Sequence, residues 1–420
     1  MSTNFKGKLF SNFFALSIIQ GTNFLVPLLV MPYVISRVGV SWFGVISVAQ
    51  VVMIYLSTIS DYGFNQTATR EIALNKERDK LSEIFFTVLT TKIIICILSF
   101  LLLLILILFV PFFQNNAKLY LSGFVYVIGQ SLLVSWFFQG IEKMKFITFS
   151  VLLARVLFAI LVFVFIRQER DAYLFLFFLG LSNIIAGFFS IYTAIYFFRL
   201  KFVYPQKFRI VRELKNGWQI MISNLFLNTY LYINIFILRF FAGDLIVGFY
   251  SIAEKIFLAI RQLLSIFSQV IYPHICQLTA KSKNQTVIFF RKVYMPFLLL
   301  VGLGCCAVFI LSPQITQLFA GKDSAVPSLL LRLLSLVLII VCLNIPANLL
   351  LLSLDQKKSY LRISTVGTIV NFCANILCAN MWGATGTVVA IIITEIFITI
   401  GLYIELYRND LAGYIRLRTV

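Results

Sequence analysis

The sequence predicts an all-α integral membrane protein of about twelve transmembrane helices, arranged as two six-helix bundles related by a parallel pseudo-two-fold repeat, with a central cavity between the lobes. Three observations predict this fold. Of the 420 residues, 60% are hydrophobic and only 12% are charged, whereas soluble domains carry about 25% charged residues. Long apolar segments recur along the whole chain, and a short motif of the first half returns in the second.

Apolar segments long enough to cross a bilayer define the predicted spans, because a hydrocarbon core of about 30 Å needs about 20 apolar residues per helix. The predicted spans are residues 9–36, 41–60, 84–113, 119–138, 147–166, 173–198, 217–241, 246–272, 293–313, 326–352, 363–381 and 385–407. Pro27 and Pro32 predict a kink in the first span. That span is too long for a cleavable signal peptide and lacks a small-residue cleavage site.

The distribution of Lys and Arg predicts the orientation of the spans. The loops after odd-numbered spans hold few cations: Arg37, Lys118, Arg167, Arg170 and Lys322. The N-terminus, the other loops and the C-terminal tail hold most of the rest. The positive-inside rule therefore predicts that both termini lie in the cytoplasm. This bias and contact with anionic lipid explain the net charge of +19 without a nucleic acid partner.

The cysteine and histidine pattern predicts no metal site and no cofactor. Seven cysteines are present, and nearly all lie within apolar spans, where Cys behaves as a small hydrophobic residue. No CxxC motif or Cys/His spacing indicates a metal, and disulfides are not expected. The single histidine, His274, follows Pro273 at a predicted span end and is expected to be an interfacial residue.

The eighth predicted span carries a polar face. On a helical wheel Glu254, Lys255, Arg261 and Gln262 lie with several Ser and Gln residues in an arc of about 140°. A charge at the centre of a bilayer costs at least about 2.5–3.5 kcal/mol. The arc is therefore expected to face a bundle interior or a watery cavity.

Four further cations lie inside predicted spans. Arg155 and Arg332 are deep and are expected to face the cavity, as are Lys255 and Arg261. Lys92 and Arg239 lie nearer to span ends, so reaching the membrane interface is an equally good interpretation for them. The candidates for ion coupling are Glu254, Glu395 and Asp61, although Glu254 is also a candidate ion-pair partner of Lys255.

The two halves share a motif at a constant offset. VGVSWFGVISVAQ at 38–50 aligns with AGDLIVGFYSIAE at 242–254, which pairs Gly39 with Gly243 and Gln50 with Glu254. The same offset pairs Asn12 with Asn216 and Gln20 with Asn224. We therefore predict an N-terminal lobe at 1–198, a basic cytoplasmic linker at 199–216 and a C-terminal lobe at 217–420. Because Arg261 stands where the first half has Ser57, we expect the second half to hold an anion.

Polar residues on the equivalent spans are candidates for contact with a sugar. These residues are Gln50, Asn224, Asn228 and Gln262. The alternative is that they only form hydrogen bonds to neighbouring helices. The segment 61–81 is amphipathic, with Ile72, Ala73 and Leu81 set against basic residues. We expect an interfacial helix on anionic lipid there, or a role for Arg70 in guiding an anionic head group.

Several segments resemble the polysaccharide export family, namely the O-antigen flippases of the Wzx type within the multidrug/oligosaccharidyl-lipid/polysaccharide exporter superfamily. The most telling are GFN…TREIA in 63–73 and YSIAEKI at 250–256, together with GVSWFGVISVAQ and the prolines of the first span. The resemblance implies a flippase that moves an undecaprenyl-diphosphate-linked sugar repeat unit from the cytoplasmic to the periplasmic leaflet of a bacterial inner membrane. It also implies a cation-lined cavity and rocking of two lobes, with a polysaccharide polymerase and a chain-length regulator as possible partners.

The cations inside the predicted spans also fit a diphosphate-linked substrate without the resemblance. Arg and Lys can replace the water around a diphosphate, with Arg offering bidentate contacts. A drug exporter of the multidrug and toxin extrusion type is a second hypothesis, but cationic drugs favour acidic cavities and here the deep cations outnumber the deep acids. A membrane polymerase or ligase is a third, less favoured one, because the longest outward loop, near 312–325, is short and lacks paired carboxylates.

Overall fold

The computed structural model describes residues 2–75, 77–409 and 411–414, and it describes side chains from residue 21 onward except those of residues 24, 357 and 412. Asn12 and Gln20, which the repeat singles out, therefore lie outside the described side chains. Every regular element of the described chain is a helix. By its internal contacts the chain divides into two units, Met1–Tyr232 and Ile233–Val420. The lobe and linker boundaries expected from the sequence stay a prediction.

The first unit is formed by α1 Ser2–Asp61, α2 Phe64–Leu74, α3 Arg78–Phe109, α4 Pro111–Gln114, α5 Ala117–Leu132, α6 Ser135–Gly140, α7 Met144–Phe165, α8 Ala172–Phe198 and the beginning of α9 Lys207–Lys281. The second unit is formed by the remainder of α9, α10 Lys283–Phe289, α11 Met295–Ala320, α12 Ala325–Ser353 and α13 Lys357–Arg408. This all-helical membrane architecture confirms the predicted fold class.

Nine helices of the described chain are long and apolar enough to cross a membrane. Three of the long helices are interrupted by a glycine with non-helical backbone angles, at Gly39, Gly243 and Gly383. Each of these glycines falls in a short loop that the sequence places between two spans. Treating each interruption as a boundary leaves room for twelve spans, and that exact number stays a prediction.

The interruptions at Gly39 and Gly243 have nearly the same geometry. The backbone angles are φ 82° and ψ 162° at Gly39, and φ 76° and ψ 175° at Gly243. This region is open essentially only to glycine, because a Cβ atom clashes there with the backbone. The two residues are those that the repeat pairs, so the backbone supports the sequence alignment of the halves.

Helices α5 and α8 pack closely in the first unit. A Cβ atom added to Gly180 of α8 would lie 2.2 Å from the backbone nitrogen of Tyr126, and one added to Gly129 of α5 would lie 2.6 Å from the Cβ of Asn183. Small residues are how membrane helices bring their backbones together. This contact places Gln130 and Asn183 on neighbouring helices.

Helix α2 is anchored by its apolar face. Phe64, Ala68 and Ile72 are buried in a cluster that includes Trp136 and Phe137 of α6. The interpretation of Ile72 as a lipid-facing residue of an interfacial helix is therefore wrong, because that face packs on another helix of the same unit. The short helices α2 and α6 hold each other in place at one end of the unit.

The segment before the seventh predicted span is tied to α2 and α3 by charges. The buried carboxyl of Glu213 faces that of Glu71 on α2, and Arg212 Nη2 lies 3.2 Å from Glu71 Oε1 and 3.7 Å from Glu213 Oε1. Arg209 pairs with Glu83 of α3. Burial, followed by the charge of Glu71, raises the pKa of Glu213 to about 7, so this carboxyl keeps its proton at mildly acidic pH.

Replacing Gly39 or Gly243 by Ala tests the helix interruptions. Nothing lies within 4 Å of a Cβ added at either position, so the cost is backbone strain, of about 1–3 kcal/mol. We expect a lower melting temperature in detergent for Gly39→Ala and Gly243→Ala. Gly302→Ala, in the open middle of α11, is the control and should be neutral or slightly stabilising. Melting temperatures equal to that of the wild type in both variants would contradict the assigned backbone.

The Glu213 carboxyl predicts a pH dependence of stability. Its pKa in the folded protein, about 7, exceeds the ordinary value of 4.5, so the folded state binds the proton more tightly than the unfolded state. Stability should therefore fall as pH rises from about 4.5 to about 7 and change little from this source above it. Thermal melting of Glu213→Gln should lack this component, and the exposed control Glu77→Gln should keep it. Parallel pH curves for Glu213→Gln and wild type would refute the assignment.

Candidate functional site

A polar cavity of about 400 Å³ lies within the first unit. Its walls come from α1, α2, α3, α5, α6 and the first part of α9. The polar side chains that line it are Ser57, Thr58, Asp61, Asn65, Lys92, Gln130, Ser135, Asn224 and Asn228. We call it the ion-pair cavity. Three residues predicted from the sequence, Asp61, Asn224 and Asn228, meet here, and Asn228 Nδ2 donates to Thr58 Oγ1 at 2.6 Å.

An ion pair between α1 and α3 gives this cavity its name. Lys92 Nζ lies 3.1 Å from Asp61 Oδ1, and the two side chains are 2% and 20% exposed. Asn65 Nδ2 donates to the same carboxylate oxygen at 2.9 Å, and Ser135 Oγ donates to Asn65 Oδ1 at 3.3 Å. The interpretation of Lys92 as a residue that reaches the membrane interface is wrong, because its ammonium group is buried against Asp61.

A second cavity, of about 410 Å³, adjoins the first. Its polar lining consists of Asn23, Asn65, Gln130, Ser135, Ser150, Arg155, Asn183 and Ser190. Asn65, Gln130 and Ser135 also line the ion-pair cavity, so the two cavities share a wall of amides and a hydroxyl. We call the second one the arginine cavity.

Arg155 is the cation of the arginine cavity. Its Nε and Nη2 donate to Asn23 Oδ1 at 3.0 and 2.9 Å. An amide oxygen orients the guanidinium but carries no net charge, and no described carboxylate forms an ion pair with Arg155. The positive charge of Arg155 is therefore available to an anionic ligand.

The predicted cations of the second unit lie in networks of their own. Arg261 Nη2 lies 3.0 Å from Glu395 Oε1, and Asn344 Nδ2 donates to Glu395 Oε2 at 3.0 Å. Arg332 Nε donates to Ser312 Oγ at 3.0 Å. Much of the charge of Arg261 is thus offset inside the unit, whereas Arg332 is held by a hydroxyl.

The remaining predicted residues take varied positions. Glu254 is buried at 5% exposure, and Lys255 and Gln262 are half-buried on α9. Gln50 is half-buried and Arg70 is exposed, and neither lines the two cavities described above. The structure thus brings Asp61, Asn224 and Asn228 into one cavity and Arg155 into the adjoining one, but it does not gather the predicted set into one place.

Sequence reasoning missed the residues of the shared wall, Asn65, Gln130 and Ser135. Asn23, a polar residue of the first predicted span, holds Arg155. Asn65 lies two residues beyond Gly63, the N-cap residue of α2, which has a φ of 82°. A polar residue just after a glycine break is the signal that could have indicated Asn65. Gln130 and Ser135 flank the end of α5, where polar residues interrupt an otherwise apolar segment.

Comparison with known proteins agrees with this architecture. The family model described as "Polysaccharide biosynthesis protein" matches residues 9–279. That match covers more than half of the chain. The chain belongs to the polysaccharide biosynthesis protein family. The family resemblance read from the motifs is thereby confirmed.

Two curated relatives extend over nearly the whole chain. A protein of Escherichia coli (strain K12) named "Putative O-antigen transporter" is 28% identical over 415 residues, which is 98% of this chain and 99% of the relative. A protein of Shigella dysenteriae with the same name is 26% identical over 397 residues, 93% of this chain and 98% of the relative.

Solved structures of membrane transporters share the fold. An inward-facing multidrug resistance transporter of the MATE family, MOP superfamily, aligns with a TM-score of 0.69 over 94% of this chain and 96% of its own. The lipid II flippase MurJ in an inward closed conformation aligns with a TM-score of 0.67 over 97% and 90%. Both are 14% identical to this chain, so these likenesses show the fold alone.

The Arg261–Glu395 pair can be tested by paired substitutions. Arg261→Met leaves a carboxylate buried without its cation, which costs at most about 3–5 kcal/mol. We expect the double variant Arg261→Met/Glu395→Leu to melt at a higher temperature than Arg261→Met, because no lone charge remains. Arg408→Met, which removes an exposed partner of Glu405, should cost only about 0–1 kcal/mol. A double variant less stable than Arg261→Met would contradict the assigned pair.

Proposed function

We propose that this protein is a flippase that moves an undecaprenyl-diphosphate-linked oligosaccharide, an O-antigen repeat unit or a similar glycan, from the cytoplasmic to the periplasmic leaflet by alternating access. The observation that carries the proposal is the Arg155 guanidinium, which a neutral amide holds in a polar cavity. A diphosphate needs fixed cations when it leaves water, because its charge is costly in a medium of low dielectric constant.

The lining of the two cavities supports a glycan as the neutral part of the substrate. Amide and hydroxyl groups of Asn65, Gln130 and Ser135 run from one cavity into the other. Such groups donate to and accept from sugar hydroxyls without adding net charge. The names of the two curated relatives point in the same direction, since both are called O-antigen transporters.

A multidrug and toxin extrusion type exporter is the alternative, favoured by the fold of the MATE neighbours. The charges argue against it for this chain. Among the described residues that line the arginine cavity, Arg155 is the charged one, and in the ion-pair cavity Asp61 is already paired with Lys92. From these described residues a cationic drug would meet a positive charge in the first cavity and a neutralised carboxylate in the second.

The other site residues take secondary roles in the proposal. Arg261, Lys255 and Arg332 are further cations along the path, and Arg70 guides the head group at the entrance. Gln50 and Gln262 join Asn224 and Asn228 as sugar-facing residues. Coupling to an ion gradient through Glu254, Glu395 or Asp61 stays a prediction, as do the inner membrane location, the cytoplasmic termini and partnership with a polymerase and a chain-length regulator.

Removing the charge of Arg155 tests the proposal. Purified Arg155→Leu should bind undecaprenyl diphosphate with roughly 30-fold higher Kd, because a charge-assisted contact contributes about 2 kcal/mol. The Kd of Arg155→Lys should lie between the Kd of the wild type and that of Arg155→Leu. The control is Arg167→Leu, an exposed arginine just beyond α7, which should bind like the wild type. In cells that depend on this protein for surface glycan, Arg155→Leu should lose the glycan at normal protein level.

The contrary outcomes are specific. Wild-type affinity in Arg155→Leu would remove this residue from the site. Failure of the wild-type protein to bind the diphosphate lipid, together with efflux of a cationic dye that Asp61→Asn abolishes, would favour the drug exporter instead.

A further inference from the structure

The Lys92–Asp61 ion pair is more deeply buried than a salt bridge at a protein surface. Lys92 lies in the middle part of α3 with its side chain 2% exposed, and Asp61 at the end of α1 is 20% exposed and lines the cavity. Asp61 Oδ1 is the hydrogen-bond acceptor that the described residues give to Lys92. The buried cation thus meets the cavity beside a carboxylate that is itself partly accessible.

Two donors from different helices meet at the Asp61 carboxylate. Its Oδ1 accepts from Lys92 Nζ at 3.1 Å and from Asn65 Nδ2 at 2.9 Å. Because a carboxylate offers about four acceptor sites on its two oxygens, Asp61 can turn away from Lys92 and still keep the amide of Asn65 as a partner. Asn65 is itself oriented by Ser135. The displaced Asp61 carboxylate therefore still has a hydrogen-bond partner, Asn65.

The charges of the described cavity lining balance. Lys92 and Asp61 are the charged residues among the described ones that line it, so the charges of this described lining sum to zero. A phosphoryl oxygen that enters can gain the full attraction of Lys92 only by replacing Asp61 beside the ammonium. The replacement keeps the buried Lys92 paired with an anion, and the displaced Asp61 carboxylate, which is 20% exposed, keeps the hydrogen bond from Asn65. Simple addition of an anion would instead leave a carboxylate next to a phosphate.

We propose that Lys92 binds the anionic phosphoryl head of the substrate and that Asp61 is the counter-ion that this head displaces. This inference rests on the proposed function and adds a binding residue to it. In the loaded protein the phosphoryl group neutralises Lys92; after release, Asp61 returns and neutralises it again. The unloaded protein can then change conformation without a lone buried cation.

The competing explanation is that the pair only fastens α1 to α3. Both explanations predict that removing the charge of Lys92 or of Asp61 alone lowers the stability of the protein. They differ for the double variant Lys92→Met/Asp61→Asn, in which no lone charge is left and the end of α1 keeps a hydrogen-bonding side chain. A structural pair can be replaced in this way with little loss of function, but a binding lysine cannot.

The test compares wild type, Lys92→Met/Asp61→Asn, Asp61→Asn and Asp61→Glu in detergent, with undecaprenyl diphosphate as the probe and undecaprenol as the uncharged control. We expect the double variant to melt like the wild type and to bind the diphosphate lipid at least about tenfold more weakly, as loss of a charge-assisted contact requires. Asp61→Asn should bind it more tightly than wild type, because no carboxylate competes for Lys92. Asp61→Glu should bind within about threefold of wild type, because it keeps the competing charge.

Each contrary result has a definite meaning. If the double variant binds undecaprenyl diphosphate with wild-type affinity, the role of Lys92 is overturned. The role is also overturned if the wild type and the double variant both bind undecaprenol as tightly as undecaprenyl diphosphate. If Asp61→Asn does not fold, the affinities of the double variant and of Asp61→Glu for undecaprenyl diphosphate still distinguish a binding lysine from a structural ion pair. Loss of binding in Arg155→Leu with full binding in the double variant would overturn this inference alone, whereas no binding by the wild type would overturn the proposed function as well.

Discussion

The cost of a charge inside an apolar slab is the constraint on which this structure depends. Three cations inside the predicted spans have a specific carboxylate partner: Asp61 for Lys92, Glu395 for Arg261 and Asp244 for Arg239. Arg155 and Arg332 differ, since an amide oxygen holds the first and a hydroxyl the second. Where the partner is a deeply buried carboxylate, the charge serves the fold; where the partner is a neutral group or a partly exposed carboxylate, the charge can serve a ligand.

This constraint explains which parts of the site could be predicted from the sequence. Arg155 could be recognised because a cation deep in an apolar segment must face away from lipid. The breaks at Gly39 and Gly243 could be recognised because each half carries the same motif. Both inferences use residues that are close together in the chain or related by a constant offset.

Partners that are distant in the sequence could not be predicted in the same way. Lys92 and Asp61 are 31 residues apart, and Arg261 and Glu395 are 134 apart. Which carboxylate meets which cation depends on the rotation of each helix about its axis, and that rotation is set by packing contacts such as Gly180 on Tyr126. The burial of α2 was missed for the same reason, since its apolar face reads equally well as lipid-facing.

The compensation pattern also decides where an anion would bind. The sequence predicts the anion site in the second half, because Arg261 has no cationic counterpart in the first half. Within the second unit, however, Glu395 lies 3.0 Å from Arg261 and is held by Asn344, and an anion that replaced this buried carboxylate would leave it with little exposure to water. Both carboxylates accept from an amide, Asp61 from Asn65 and Glu395 from Asn344, but Asp61 is 20% exposed and Glu395 only 3%. A carboxylate that loses its cation must remain solvated, and of these two Asp61 is the more accessible to water.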